Sequence, residues 1–169
     1  MKKNVRFLTH AALIAAAYVA LTHLQNLLLP NSTSWAIQFR ASEALCVLAF
    51  FTPAAIPGLT IGCLLFNVTS GLALPLDFLV GSLASCLAAA AMWLTRKVTI
   101  KGFPLLGMLM PALTNAILVG WELTLYVPET SFALNAVYVA IGEAAVLLTL
   151  GSALYYAFKK RRLGERLFG

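Results

Sequence analysis

The 169-residue chain is 61% hydrophobic and only 11% charged, with a mean hydropathy of +0.88. A soluble domain carries roughly 25% charged and 45–50% apolar residues, so a soluble fold is excluded. The apolar residues extend from Phe7 to Phe158, which indicates a polytopic membrane protein with one domain over residues 1–169. The net charge of +6 collects beside apolar segments, which fits membrane topology better than nucleic-acid binding.

The apolar segments predict a bundle of six helices, at residues 8–29, 40–51, 56–69, 75–94, 104–127 and 132–158. The first segment is longer than the 7–15 apolar residues of a signal peptide, so we expect it to be retained. The second is short, at roughly 18 Å, and a turn with Pro53 and Pro57 leads into the short third. Irregular backbone at that depth is tolerated only where it is buried or lines a cavity.

The basic residues predict that both termini lie in the cytoplasm. With six crossings, only Arg40 of the 12 Lys and Arg residues then lies on the outer side. The other eleven face inward: Lys2, Lys3, Arg6, Arg96, Lys97, Lys101, Lys159, Lys160, Arg161, Arg162 and Arg166.

The polar residues within the predicted spans lie on one side of the membrane. Asn115 and Glu143 fall near the midplane, the others closer to the outer surface, and no charge falls in the inner half of a span. A charge in the bilayer costs roughly 2.5–3.5 kcal/mol on the insertion scale, which marks these residues as functional. This distribution predicts an outward-facing polar chamber, typical of a receptor and not of a channel.

The chamber holds four carboxylates and one basic group, so we expect a ligand with several N–H donors or a cationic amine. Aromatic residues, Trp121, Phe39 and Tyr126, are placed to stack on a flat ring. Glu143 is the leading candidate because it lies mid-span without a basic neighbour in sequence. The predicted substrate-binding residues are Glu143, Asn115, Glu43, Arg40, Glu122, Asn67, Trp121, Asp77, Gln38 and Phe39.

Structural alternatives exist for several of these residues. Arg40 and Glu43 are spaced to pair with each other, and Asp77 is placed to cap a helix. Asn115 is of a type that often makes only a helix–helix hydrogen bond. The alanines at 12, 16 and 20 form a small-residue face, suited equally to packing within the bundle and to docking another membrane subunit.

Catalytic and metal-binding motifs are missing from the sequence. It has no phosphate-binding loop for ATP, and His10 and His23 lack partners at ligand spacing. The three cysteines lie singly in apolar runs, so we expect no metal, disulfide or cofactor. An enzyme is disfavoured, with a membrane-embedded enzyme or a structural bundle kept as alternatives.

The second and third predicted helices carry a distinctive pattern of residues. It begins with Ile37-Gln38-Phe39-Arg40-Ala41-Ser42-Glu43-Ala44-Leu45 and continues with Pro53-Ala54-Ala55-Ile56-Pro57-Gly58-Leu59-Thr60-Ile61-Gly62-Cys63 and Asn67. These residues resemble the queuosine-precursor transporter family (QueT), the substrate-binding S components of energy-coupling-factor (ECF) importers. The chain length, the alanine-rich first helix, the basic tail and Gly142-Glu143 extend the resemblance over most of the chain.

The resemblance implies an S-component fold in a bacterial cell membrane and a partner set. The partners are a transmembrane coupling subunit and two cytoplasmic ATPases, and docking through Ala12 and Ala16 becomes the favoured alternative. The implied substrate is a 7-deazaguanine such as 7-cyano- or 7-aminomethyl-7-deazaguanine. An S component for a different small vitamin is the alternative.

Overall fold

The structure, a computed structural model, describes residues 2–30, 32, 39–71 and 73–168, and that part consists of helices joined by turns and loops, with an isolated bridge between Ile100 and Phe103. The elements are α1 (Lys2–Leu28), a 3-10 helix (Ala41–Phe50), α2 (Ala55–Thr69), α3 (Asp77–Thr95), α4 (Leu105–Met108), α5 (Met110–Tyr126), α6 (Phe132–Val146), a π-helical turn (Leu147–Gly151), α7 (Ser152–Lys160) and α8 (Leu163–Phe168).

Four helical segments within the described residues are long and apolar enough to cross a membrane: Lys3–Leu28, Asp77–Thr95, Leu105–Tyr126 and Phe132–Lys160. Ala41–Phe50 and Ala55–Thr69 are apolar but shorter. The prediction of a helical membrane protein is confirmed. The six-crossing topology stays a prediction, because the two shorter helices fall below the about 20 residues that a full span needs.

The second predicted helix is a 3-10 helix and not an α-helix. A 3-10 helix has three residues per turn and rises about 2.0 Å per residue, so ten residues cover about 20 Å. Side chains three residues apart then lie on one face, which places Glu43 and Cys46 on a line that begins at Arg40. The Cys46 thiol donates to Glu43 Oε2 at 3.2 Å. This geometry turns the polar start of the helix toward the interior.

Glycines allow α1 and α2 to approach closely. A Cβ atom on Gly58 would lie 2.8 Å from the carbonyl oxygen of Ala11, and one on Gly62 would lie 2.8 Å from Tyr18 Cβ. In lipid, where no hydrophobic drive brings helices together, such contacts between small residues stabilise the interface. The α1–α2 contact fixes Tyr18 beside the start of the 3-10 helix.

The replacement of Gly62 with alanine is expected to destabilise the bundle by about 1–3 kcal/mol, because the added methyl group overpacks the α1–α2 contact. Thermal unfolding in detergent measures this as a lower Tm. Gly71→Ala is the matched control, since no atom of the described residues lies within 4 Å of a Cβ atom there. Equal Tm values for the two variants would contradict the close packing of α1 on α2.

The beginning of α1 and the end of the chain lie at the same end of the bundle. His10 contacts Phe168 edge to face, with 5.1 Å between ring centroids. Lys159 Nζ donates to the carbonyl oxygen of Gly102 at 2.8 Å, so the loop after α3 lies at this end as well. We call it the basic end, since Lys3, Arg6 and Arg162 also line its cavities.

Candidate functional site

Polar side chains from α1, the 3-10 helix, α2, α3, α5 and α6 meet in the bundle interior. Arg40 lies at their centre and interacts electrostatically with Glu43, Asp77, Glu122 and Glu143. All four carboxylate residues are buried, at 8% exposure or less. We call this group the polar cluster, made up of Tyr18, Arg40, Glu43, Asn67, Asp77, Asn115, Glu122 and Glu143.

Glu43 is the most fully hydrogen-bonded carboxylate of the polar cluster. The Tyr18 hydroxyl donates to its Oε1 atom and the Cys46 thiol to its Oε2 atom. Nearby, the Thr22 hydroxyl donates to Ser42 Oγ at 2.7 Å, which ties α1 to the same turn. These bonds hold the start of the 3-10 helix against α1, so Glu43 has a structural role as well as a place in the site.

Glu143 and Asn115 form a pair across α5 and α6. Asn115 Nδ2 donates to Glu143 Oε1 at 2.7 Å, and both residues are buried. The other carboxylate oxygen, Oε2, is buried without a hydrogen-bond partner among the described residues. A buried polar atom left unpaired costs about 1–3 kcal/mol, so this oxygen is a strong candidate to accept a hydrogen bond from a ligand.

Asp77 and Asn67 close the end of the cluster where α2 leads into α3. Asp77 lies in the first turn of α3, and the Leu74 amide donates to its Oδ2 atom at 2.7 Å, so this carboxylate holds the turn that precedes the helix; within the described residues it does not make the predicted capping bond to α3. Asn67 Nδ2 donates to the Asp77 carbonyl oxygen at 2.7 Å, while its Oδ1 is buried and unpaired among the described residues. Asn67 therefore presents one unused acceptor.

Glu122 is the least compensated member of the polar cluster. Its side chain has 0% exposure, and neither carboxylate oxygen has a hydrogen-bond partner among the described residues. Its electrostatic neighbours are the carboxyl group of Asp77 and the guanidinium group of Arg40. It lies on the same face of α5 as Asn115, seven residues and thus about two turns further along.

A small cavity lies inside the polar cluster. Its volume is about 10 Å³, which is room for about one water molecule. Besides Arg40, Glu43, Asn115 and Glu143, its walls include Cys63, Gly81, Ser85, Val119 and Val139. A ring-sized ligand can enter only if the elements around this cavity move apart.

Larger cavities lie at the basic end around α8, with volumes of about 430, 320 and 290 Å³. Their walls are aromatic, aliphatic and basic, for example Phe51, Phe158 and Lys159. Size alone would favour them as binding sites. The chemistry favours the polar cluster, because binding sites combine burial with a few convergent polar groups.

The structure brings together seven of the ten predicted site residues: Arg40, Glu43, Asn67, Asp77, Asn115, Glu122 and Glu143. Trp121 and Phe39 lie apart from them, about half exposed on the surface of the bundle. Gln38 lies outside the described residues. Within the described part of the chain, no group of three or more His, Cys, Asp and Glu side chains is arranged to hold a metal ion.

Two residues at the site, and one buried polar residue elsewhere on α6, were missed from the sequence. Tyr18 is fully buried and bonds Glu43, and buried Phe66 lies 5.8 Å below the Arg40 guanidinium. Asn135 is 2% exposed, and its Nδ2 is unpaired among the described residues. The signal for Asn135 was an eight-residue spacing from Glu143, which places both on one face of a helix.

The alanines of α1 divide into two faces. Ala11 and Ala15 are buried against α2, whereas Ala12, Ala16 and Ala20 are exposed in a line at i, i+4 and i+8. Packing within the described bundle therefore uses the first pair and leaves the second face open.

Apolar helices around a buried polar cluster define the chain as a helical membrane protein. It belongs to the QueT transporter family, which it matches over residues 8–160, nearly its whole length. The chain therefore has a transport role, and the predicted family is confirmed. No match was found among curated proteins or solved structures.

Proposed function

We propose that the chain is the substrate-binding S component of an ECF importer and that it captures a 7-deazaguanine precursor of queuosine from outside the cell. The buried polar cluster is the observation that carries this proposal. Its unpaired atoms, Glu143 Oε2, Asn67 Oδ1 and both Glu122 oxygens, are all acceptors. A 7-deazaguanine supplies N–H donors for such acceptors, from its guanine-like edge and, in the aminomethyl compound, from its amine as well.

The architecture proposed for the transporter follows from the same family. The chain forms one membrane domain over residues 1–169 in the bacterial cell membrane, with six crossings and both termini in the cytoplasm. The clustering of basic residues at the end that holds His10 and Phe168 supports this orientation. The polar cluster then opens outward, and the basic end faces the ATPases.

The proposed partners are a transmembrane coupling subunit and two cytoplasmic ATPases. The exposed line of Ala12, Ala16 and Ala20 supports a docking role, because small residues let a second helix approach closely in lipid. The burial of Ala11 and Ala15 supplies the internal packing that the other alanines do not.

Equilibrium binding to the purified chain tests the substrate. Isothermal titration with 7-aminomethyl- and 7-cyano-7-deazaguanine is expected to show submicromolar binding to at least one, about −8 kcal/mol or better. Guanine and a panel of water-soluble vitamins serve as comparison ligands. Binding to a vitamin and to no deazaguanine would overturn the substrate and favour an S component of different specificity.

A further inference from the structure

We propose that the preferred ligand carries a cationic amine and that Glu122 is the residue that receives it. The proposal rests on the proposed function and narrows it to a 7-deazaguanine with a primary ammonium group on its five-membered ring. Glu122 becomes a specificity-determining residue, distinct in role from the Asn115–Glu143 pair.

The charge balance of the polar cluster is the first support. Four buried carboxylates share the positive charge of Arg40. Glu43, Asp77 and Glu143 each accept at least one further hydrogen bond, from Tyr18, from the Leu74 amide and from Asn115 respectively. Glu122 accepts none within the described part of the chain. A buried carboxylate is tolerated when it is paired, so a second cation would complete the site at Glu122.

The position of Glu122 is the second support. It lies about two turns, or ~10 Å, along α5 from Asn115, and Val119 between them lines the cavity. The Asn115–Glu143 pair and Glu122 can therefore address opposite ends of one bicyclic ligand. The pair suits the hydrogen-bonding edge of the ring, and Glu122 suits a charged arm on the other side.

The neutral alternative, a nitrile or hydroxyl arm, fits Glu122 less well. A nitrile offers only an acceptor, which would meet the two oxygens of Glu122 beside the acidic side chain of Asp77. An ammonium group offers three donors and a positive charge. The acceptors and charges around Glu122 thus favour the ammonium arm.

The test compares two ligands of similar size, 7-aminomethyl- and 7-hydroxymethyl-7-deazaguanine, on purified wild type and Glu122→Gln. Wild type is expected to prefer the amine by about 10- to 100-fold, the contribution of one hydrogen bond to a charged group. Glu122→Gln is expected to lose that preference while keeping its affinity for the hydroxymethyl ligand, which also reports that the variant is folded. Glu129→Gln, an exposed carboxylate beyond α5, is the matched control and should keep the preference.

Three results would overturn the assignment. They are equal affinity of wild type for the two ligands, an undiminished preference in Glu122→Gln, and an equal loss of both ligands by that variant. The comparison of the two ligands on wild type tests the preference for the amine even if Glu122→Gln does not fold. Failure of every deazaguanine to bind wild type would instead overturn the proposed function, so the two failures are distinguishable.

Discussion

The replacement of Glu143 with glutamine is expected to lower ligand affinity about 100-fold and to reduce uptake in cells to background. Glutamine keeps the shape of the side chain, but it removes the charge and one of the two acceptor oxygens. The loss of a hydrogen bond to a charged group lowers ligand affinity about 10- to 100-fold. We expect the upper end of this range because Glu143 Oε2 has no competing partner among the described residues. Titration of the purified variant measures the affinity, and radiolabelled uptake measures the transport.

The same variant is expected to be as stable as wild type, or more stable. Burial of an incompletely paired carboxylate costs free energy that a neutral amide avoids, so function and stability should change in opposite directions. Glu165→Gln, an exposed change near the end of the chain, should alter neither. Unaffected binding by Glu143→Gln would leave the buried carboxylate a structural group. A loss of folded protein would mean that its bond to Asn115 holds α5 and α6 together.

The replacement of Ala16 with tryptophan is expected to abolish uptake while ligand affinity stays within about twofold of wild type. Ala16 is exposed, so its side chain can grow without disturbing the bundle. A bulky ring on this face would prevent a partner helix from approaching closely. Co-purification of the coupling subunit with the tagged chain measures docking directly, and titration measures binding in the same preparation.

Two further tryptophan variants separate docking from folding. Ala153→Trp, also exposed but on α7, should leave uptake and co-purification intact. Ala15→Trp should destabilise the protein itself, because Ala15 is 4% exposed and packs on α2 at Gly62. If Ala16→Trp loses ligand binding together with transport, the alanine face belongs to the bundle and not to a docking surface.

The sequence predicted the helices well where length and breaking residues set their ends. The third and fourth segments, 56–69 and 75–94, agree with Ala55–Thr69 and Asp77–Thr95 to within two residues. The fifth was predicted as one helix, whereas a break at Leu109 divides it into α4 and α5 just before Pro111. The 3-10 form of Ala41–Phe50 was missed, because a run that is apolar on all sides carries no periodicity to reveal it.

The depth of polar residues in the predicted spans indicated the charged part of the candidate site but not its complete wall. Glu143, Asn115 and Glu122 stood out because polar groups within an apolar span require a reason. Tyr18 and Phe66 are typical core residues by type, so nothing in the sequence separated them from ordinary packing. Trp121 was expected at the site, yet it is half exposed while its neighbour Glu122 is buried, since an apolar helix in lipid does not show from its sequence which face is inside.

A structure of the chain with 7-aminomethyl-7-deazaguanine bound tests the central claim most directly. We expect the ring to lie within the polar cluster, in hydrogen-bond contact with Glu143 and Asn115, and the cavity there to have opened well beyond about 10 Å³. A ligand seated instead at the basic end, in the cavity of about 430 Å³ lined by Phe51, Phe158 and Lys159, would contradict it.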